Sequence, residues 1–355
     1  MRTIEILDGG FFTTVQDLGR VQYQRFGVAV SGAMDGFALR AANRLVGNAD
    51  TAAGLEVTLL GPEVQFAQSG LLAVTGADLN PCVDGCPIQM WHTIAVRAGS
   101  MLSFSGQRDG MRAYLAVDGG IDVPVVLGSR STSTRTGLGG FEGRPLRAGD
   151  TLPVGEQAPG RRAARRAMRP SAIPSYGHDH RVRVVFGPQD DAFSDEGRST
   201  FLTAEYTMTM QSDRIGCRFD GPRIAHRTSA DIVSDGTTLG IVQVSGDGMP
   251  IVLMADRGTT GGYTKIATVI SADVWRLAQA APGDRVRFGA VDLDEACARL
   301  REMEAVLDAL VASEPARPVA PSEDVYDEDA GSGLAAEGFG DLADALDETG
   351  RGRNQ

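Results

Sequence analysis

The sequence predicts a mainly β protein built as two β-barrel subdomains with a few short helices, a C-terminal helix and an acidic tail. Three observations predict it. Short apolar runs separated by Gly and Pro turns recur at close spacing from residue 55 to 155, as in "LEVTLL", "LLAVTG", "IAVRAG", "AYLAVDGG" and "VPVVLGS", the pattern of a barrel or sandwich. After an Arg- and Pro-rich stretch, the same texture resumes in "RVRVVFGP", "EYTMTMQ", "LGIVQVSG", "PIVLMAD" and "VRFGAV". The two halves also end alike, "LRAGDTLPV" and "AAPGDRVRF", which hints at two related units.

In chain order, residues 1–30 read as a strand, a Gly turn and "TTVQDLGR". Residues 31–48 predict a helix with Met34, Phe37, Leu39, Ala42, Leu45 and Val46 on its apolar face. Ser31 or Asp35 can cap its start, and Gly47-Asn48 ends it. The first subdomain is expected over 1–155. Residues 156–180, with five arginines and no strand periodicity, read as an exposed linker, and 181–291 as the second subdomain. Within that, "SADVWRLAQ" (271–279) predicts a helix. Residues 292–312 predict an amphipathic helix with Leu293, Leu300, Leu307 and Leu310 on one face. Residues 313–355 read as a disordered acidic tail, although Phe339, Leu342 and Leu346 could line one side of a short helix.

The chain has 355 residues and a net charge of −12. Residues 314–355 carry 11 acids and 3 arginines, a net of −8, which leaves about −4 on the body. No basic stripe with interleaved aromatics points to nucleic acid. The start of the chain lacks a signal-peptide pattern, and no run reaches the ~20 apolar residues of a membrane span. Cytoplasmic residence is expected. Cys82, Cys86, Cys217 and Cys297 do not form a disulfide framework in a chain of this length. Cys82 and Cys86 flank a hairpin turn without a second ligand pair, so no metal is expected.

Familiar catalytic patterns are absent. There is no P-loop, no G-x-S-x-G elbow and no H-E-x-x-H, and the four histidines are scattered. Three polar loops remain. "VSGAMD" sets Ser31 and Asp35 at a helix start, where they could cap the helix or help its amides hold an anion. "GSRSTSTRTGLGGFEGR" (128–144) places Ser129 and Arg130 after an apolar strand, a pattern suited to a carboxylate or phosphate. The third is "RGTTGGYTKIATVI" (257–270), with Thr259, Thr260 and Tyr263 beside Lys265. Lys265 is the only lysine; the other 33 basic residues are arginines. A compact ammonium that titrates when buried differs from a guanidinium fork, so this position is expected to matter. Arg214 in "QSDRIG", and Ser234 and Gln243 in "SDGTTLGIVQ", add polar groups beside strands.

Taken together, "TTVQDLGR", "VSGAMDGFALRAANRLVGN", "GSRST", "GGFEGRPLRAGD", "SDRIG", "LGIVQV" and "TTGGYTKIATVI" resemble one family. It contains the C subunit of 5-oxoprolinase, allophanate hydrolase subunit 2, the carboxyltransferase domain of urea carboxylase and a sporulation-kinase regulator. The resemblance runs over about residues 1–290. It implies cyclophilin-like barrels, a companion B subunit, a further A subunit, and an amide or lactam substrate. ATP would act at the level of the complex, with no cofactor bound by this chain alone. Carboxybiotin would be the carboxyl donor in the carboxyltransferase alternative, and a regulator that antagonises a kinase inhibitor is a third reading. The absence of biotin-acceptor, biotin carboxylase and amidase signatures from this sequence favours the 5-oxoprolinase reading. The resemblance further implies Lys265 as the electrostatic group at an amide oxygen, with Thr259, Thr260 and Tyr263 as hydrogen-bonding neighbours. Ser129 and Arg130 would hold a substrate carboxylate, and Asp35 would act as base or N–H acceptor. Lys265 is expected at the end of a glycine-rich loop, in a cleft shared with Arg130 or Asp35.

Overall fold

The computed structural model describes residues 2–156 and 166–312. The acidic tail therefore lies outside the described residues, as does part of the Arg-rich stretch. In chain order the first lobe contains β1 (Arg2–Asp8), β2 (Phe12–Gln16), α1 (Gly36–Val46), β3 (Gly54–Thr58), β4 (Glu63–Phe66) and β5 (Gly70–Asp78). It continues with β6 (Pro81–Val83), β7 (Cys86–Pro87), β8 (Ile94–Val96), β9 (Met101–Phe104), β10 (Asp109–Val117) and β11 (Thr151–Val154). The second lobe contains β12 (Asp179–Phe186), α2 (Asp195–Thr203), β13 (Tyr206–Met208), β14 (Gly216–Asp220), β15 (Asp231–Gly236) and β16 (Ile241–Val244). It ends with β17 (Pro250–Leu253), β18 (Thr260–Val269), α3 (Val274–Gln279), β19 (Arg285–Ala290) and α4 (Leu293–Ala312).

The protein is mainly β, as expected. In the first lobe a sheet ordered β11-β1-β4-β9-β6-β7 and a sheet ordered β2-β3-β10-β5-β8 share one core. Ile4, Ile6, Val64 and Leu102 come from one sheet, and Val15, Leu55, Val74 and Leu115 from the other. β1, β4 and β9 bury alternate residues, whereas β3, β5 and β10 are buried on both faces because α1 covers the outer side of their sheet. In the second lobe β12-β19-β13-β14-β17-β16-β18 pair in sequence, and β12 pairs again with β18. That second pairing closes seven strands into a barrel and removes their free edges. β15 adds to the outside of the ring along β18. Phe193, Phe201, Phe219 and Phe288 fill the barrel's core, with Phe201 and Phe288 stacked at 4.7 Å.

The helix expected over 31–48 begins later, at Gly36. Asp35 caps it by accepting from Ala38 N, and Gly47 ends it in the left-handed conformation that glycine tolerates. The Cys82–Cys86 hairpin turns on Asp84 and Gly85, both at positive φ (51° and 76°), as a type I′ turn requires. α4 lies on α1 through buried Leu307 and Leu310. Arg40 clamps Glu304 at 2.6 Å through both carboxylate oxygens, and Arg44 reaches Asp308 at 3.0 Å. Leu293, expected on the buried face of this helix, is 67% exposed because it opens the first turn, before the helix meets α1.

Residues 166–180 are exposed over more than half their length and are anchored to the body at a few points. Thr93 N donates to Arg166 O, Met168 is buried beside Trp91, and Tyr176 packs edge-on to Trp275. Helix α2 was not expected. Ser194 caps it, with Asp195 and Glu196 in its first turn. Among the described residues no helix is long and apolar enough to cross a membrane, and no group of three or more His, Cys, Asp or Glu side chains could hold a metal ion.

The lobes are joined by a buried ionic cluster. Arg214 donates from Nε to Asp256 at 2.8 Å, from Nη1 to Glu56, and from Nη2 to Gly32 O at 2.7 Å. Glu56 also accepts from Met34 N and Tyr114 Oη, both at 2.8 Å. Removing one member of such a group leaves buried charge without compensation, which typically costs about 3–5 kcal/mol. Arg214→Met is therefore expected to lower the unfolding free energy by about that amount, measured by urea denaturation. A change under about 1 kcal/mol would contradict this account of the junction.

Candidate functional site

The structure distributes the expected site residues over three neighbouring places. The first is the loop after β10. Its organiser is Asp17, from the turn after β2. Asp17 accepts from Ser129 Oγ at 2.7 Å, Ser131 Oγ at 2.5 Å and Arg130 N at 2.6 Å. Ser129 is thus fully committed inside the protein, contrary to its expected contact with a substrate carboxylate. Arg130 gives Nε to Val123 O and Nη2 to Asp122, and stays partly exposed. Arg20 lies buried in the same region and donates from Nη2 to Ser131 O. Burial without a full set of partners pulls its guanidinium below the usual range.

The second place is the junction. Asp35 is buried and uses both oxygens, Oδ1 for Ala38 N and Oδ2 for Gln279 Nε2, each at 2.9 Å. Gln279 cannot turn over, because its Oε1 accepts from Met111 N and Arg112 N. The choice at this helix start falls to capping. An anion is not accommodated there, since Met34 N and Asp35 N already donate to Glu56 and Tyr114. Ser31 sits at φ 56°, with N donating to Ala255 O and its buried Oγ without a partner. Arg214 is the ionic clasp described above, so its role is to hold the lobes together.

The third place is the outer hairpin of the barrel. β15 pairs with β18 so that Asp235 faces Gly261 and Gly236 faces Thr260. β16 sets Gln243 opposite Lys265 on the other side of β18. Lys265 therefore lies inside a strand, not at the end of a loop, and is 1% exposed. Its Nζ donates to Asp235 Oδ2 at 2.6 Å, and its backbone N donates to Gln189. That is the one side-chain hydrogen bond of Nζ among the described residues. The bond from Lys265 holds the Asp235 carboxyl below its ordinary range, with help from Gly236 N. Asp235 itself remains 59% exposed, so it covers the ammonium from the solvent side. Ser234, Thr260 and Tyr263 are exposed nearby, Thr259 is half-buried, and Gln243 donates weakly to Tyr263 O at 3.4 Å. His226 lies 3.0 Å from Thr264 Oγ1.

The structure therefore brings Lys265, Ser234, Gln243, Thr259, Thr260 and Tyr263 together. It does not place Arg130 or Asp35 among the hydrogen-bonding partners of Lys265. Sequence reasoning missed Asp235, Asp17, Glu56, Tyr114 and Gln279, which hold the expected residues in place. Asp17 and Asp235 stood inside the quoted motifs, Asp235 next to Ser234. Glu56 was visible as an acid inside an apolar strand.

These two lobes and their junction define a carboxyltransferase-type β protein. The chain belongs to the carboxyltransferase domain family, subdomains A and B, which it matches over residues 26–290. It is 38% identical to the 5-oxoprolinase C subunit of Escherichia coli K12 over 307 residues, 86% of this chain and 97% of that one. Identity to the 5-oxoprolinase C subunit of Haemophilus influenzae is 39% over the same shares. The solved structure of K. lactis urea amidolyase aligns with a TM-score of 0.81 at 31% identity, covering 90% of this chain and 20% of that one. The resemblance read from the motifs is thus shown.

Burial raises the Asp35 carboxyl to about 6, against the bonds from Gln279 and Ala38 and with a further push from Glu56. A carboxyl raised on folding favours the fold while protonated. Between about pH 4 and 6 the native state holds more protons on this group than the unfolded chain does, so its contribution falls as pH rises. Asp35→Asn is expected to flatten the pH dependence of unfolding free energy in that window. Superimposable slopes for the two proteins would refute it.

Proposed function

We propose that this chain is the C subunit of an ATP-dependent 5-oxoprolinase, opening 5-oxoproline to glutamate in the cytoplasm together with its companion B and A subunits. The observation that carries this reading is identity of 38–39% to two such subunits over 97% of their lengths. Two further features support it. The hairpin at Lys265 offers an ammonium with hydroxyl neighbours, a set of donors suited to charge developing on an amide oxygen. Arg130 Nη1, left over from the bonds to Val123 and Asp122, is a donor suited to a carboxylate, in a place separate from the Lys265 hairpin. No Gly-rich phosphate loop ending in Lys-Ser/Thr occurs in this sequence, so we assign ATP handling to a companion chain and derive no step through it here.

In the proposed reaction, water adds across the lactam C–N bond and the ring nitrogen leaves as the amine of glutamate. Lys265 Nζ stabilises the oxyanion formed at the lactam carbonyl. Because Asp235 occupies Nζ in the structure, the oxyanion must take the place of that carboxylate, which its exposure permits. Asp35, whose two oxygens are held by Ala38 N and Gln279 Nε2, is given no part in this step.

A second reading has its own support. The family match and the likeness to urea amidolyase favour a carboxyltransferase component that works on urea or a related amide. This chain would then supply the same donors, while carboxybiotin on another protein would supply the carboxyl group.

The test is purification with and without the companion chains, followed by assays for glutamate from 5-oxoproline and for carboxyl transfer to urea. Glutamate formed only by the full complex is expected. Substantial turnover by the lone chain, or activity with urea alone, would displace the reading. In the active complex, Lys265→Met is expected to lower kcat by about 10²–10³, the usual loss for one oxyanion donor. Lys265→Arg should be nearly as damaging, since the buried slot beside Asp235 was shaped for a compact head. Near-normal kcat for Lys265→Arg, in a complex of wild-type assembly, would remove Lys265 from the mechanism.

A further inference from the structure

The outer face of the β12–β19 pair carries an unusual charge pattern for a chain of net charge −12. These two strands run parallel, in the register Asp179↔Arg285, Arg181↔Arg287 and Arg183↔Gly289. The alternate residues His180, Val182, Val184, Val286 and Phe288 point into the barrel and are buried. Asp179, Arg181, Arg285 and Arg287 are exposed, and Arg183 is half-buried. Arg276 of α3 and Arg299 of α4 stand at the rim of the same open groove, which has a volume of about 1220 Å3. Six arginines and one aspartate line it.

Some of this charge is balanced internally. Arg285 pairs with Asp179 at 2.6 Å, Arg287 pairs with Glu205, and Arg183 and Arg276 share Asp273. Arg299 pairs with Glu295 and Glu302 on its own helix. Arg181 is different: among the described residues no carboxylate lies within ion-pair distance of it, and its cross-strand neighbour is Arg287. Like charges opposite one another on a sheet are destabilising. Of this pair Glu205 balances Arg287 alone, so Arg181 is left as the uncompensated member, and an anion laid between the two guanidinium groups would meet it.

Resting on the reading of this chain as one subunit of a complex, we propose that this groove is a docking surface for an extended acidic polypeptide segment of a companion chain. The spacing selects the occupant. Side chains on one face of a strand recur every second residue, about 7 Å apart. Arg181 and Arg183 on one strand, with Arg285 and Arg287 on the next, recur at the repeat of carboxylates on alternate residues of an extended chain; Arg181 is the unpaired member, and a docked carboxylate would share Arg285 and Arg287 with Asp179 and Glu205. The groove is also larger than the ~300–1,000 Å3 usual for a small-molecule site. Asp179 within the row disfavours a compact polyphosphate, which would meet that carboxylate, and suits a partner whose charges are spaced. Guanidinium forks take carboxylates through paired hydrogen bonds, and such a surface raises the association rate and fixes register.

The probe is a fluorescein-labelled peptide of alternating Glu and Ser, titrated with the full chain and followed by anisotropy. Saturable binding is expected, weakening steeply when salt rises from about 50 to about 300 mM. Arg181→Ser with Arg287→Ser should weaken it at least tenfold, while Arg97→Ser with Arg108→Ser, two exposed arginines of the first lobe, should leave it unchanged. Arg181→Gln alone should weaken binding yet keep or raise the melting temperature, because it relieves the like-charge pair; this separates docking from misfolding. Equal weakening by both double variants would overturn the proposal, as would absence of binding by the wild-type chain. Displacement of the peptide by tripolyphosphate at a tenfold lower concentration would assign the groove to polyphosphate and overturn it as well.

Discussion

One guanidinium sets the geometry of this protein. Arg214, rising between β13 and β14 of the second lobe, is held by Asp256 from its own lobe and by Glu56 and Gly32 O from the other. Three buried charges are tolerable only when each is met, and here the unpaired lone pairs of Glu56 are filled by Met34 N and Tyr114 Oη. The cluster therefore fixes more than a distance between lobes. Through Met34 and Tyr114 it sets the start of α1, and through Asp256 it sets the loop that leads into β18. The hairpin carrying Lys265 and the helix carrying Asp35 are both oriented by the same ion.

This explains why the polar loops that look catalytic in the sequence divide into different kinds of residue. Ser129, Ser131 and Asp17 form a closed hydrogen-bonded knot that shapes a loop. Asp35 and Gln279 are interlocked donors and acceptors across the junction. Of the three places, the β15–β18 hairpin is the one that couples a buried cation to solvent-facing hydroxyls among the described residues. A carboxylate that is itself exposed guards that cation, so the group is shielded yet reachable. The distinction lies in which side of the side chain faces water, and residue type alone does not encode it.

Much of the architecture was legible in the sequence because it depends on local chemistry. Apolar runs between turn signals marked β3, β5, β10 and β12, although of these four β12 alone buries alternate residues, and the Asp35 and Gly47 caps marked α1. The Asp84-Gly85 turn marked its hairpin. Helix α2 had a Ser194 cap and acids in its first turn, but its short length and weak apolar face hid it among the turns. The site was legible in part. Lys265 stood out by its uniqueness, and the registers that place Ser234, Gln243 and Tyr263 around it follow from neighbouring strands. Partners such as Glu56 and Arg214 are 158 residues apart, and no local pattern can pair them. Nor could the sequence show that Lys265 lies within β18, because the glycines before it read as a loop while the sheet uses them as strand.

The closure of the barrel bears on how the chain is made. β12 opens the second lobe and β19 ends it, yet they are neighbours, with Asp179 beside Arg285. In the first lobe β1 and β11 also meet, though antiparallel, with Arg2 beside Val154. Each lobe thus pairs its own first and last strands. A ribosome delivering the chain from its N-terminus releases a complete first lobe while the second is still a set of strands without a seam. The first half can pair its strands early, with Glu56 and the outer face of α1 left for Arg214 and α4 to cover, whereas the second waits for its last strand, holding sheet edges open throughout that interval. Vectorial synthesis therefore gives the two lobes unequal exposure to mispairing, and the later one carries the greater need for protection during translation.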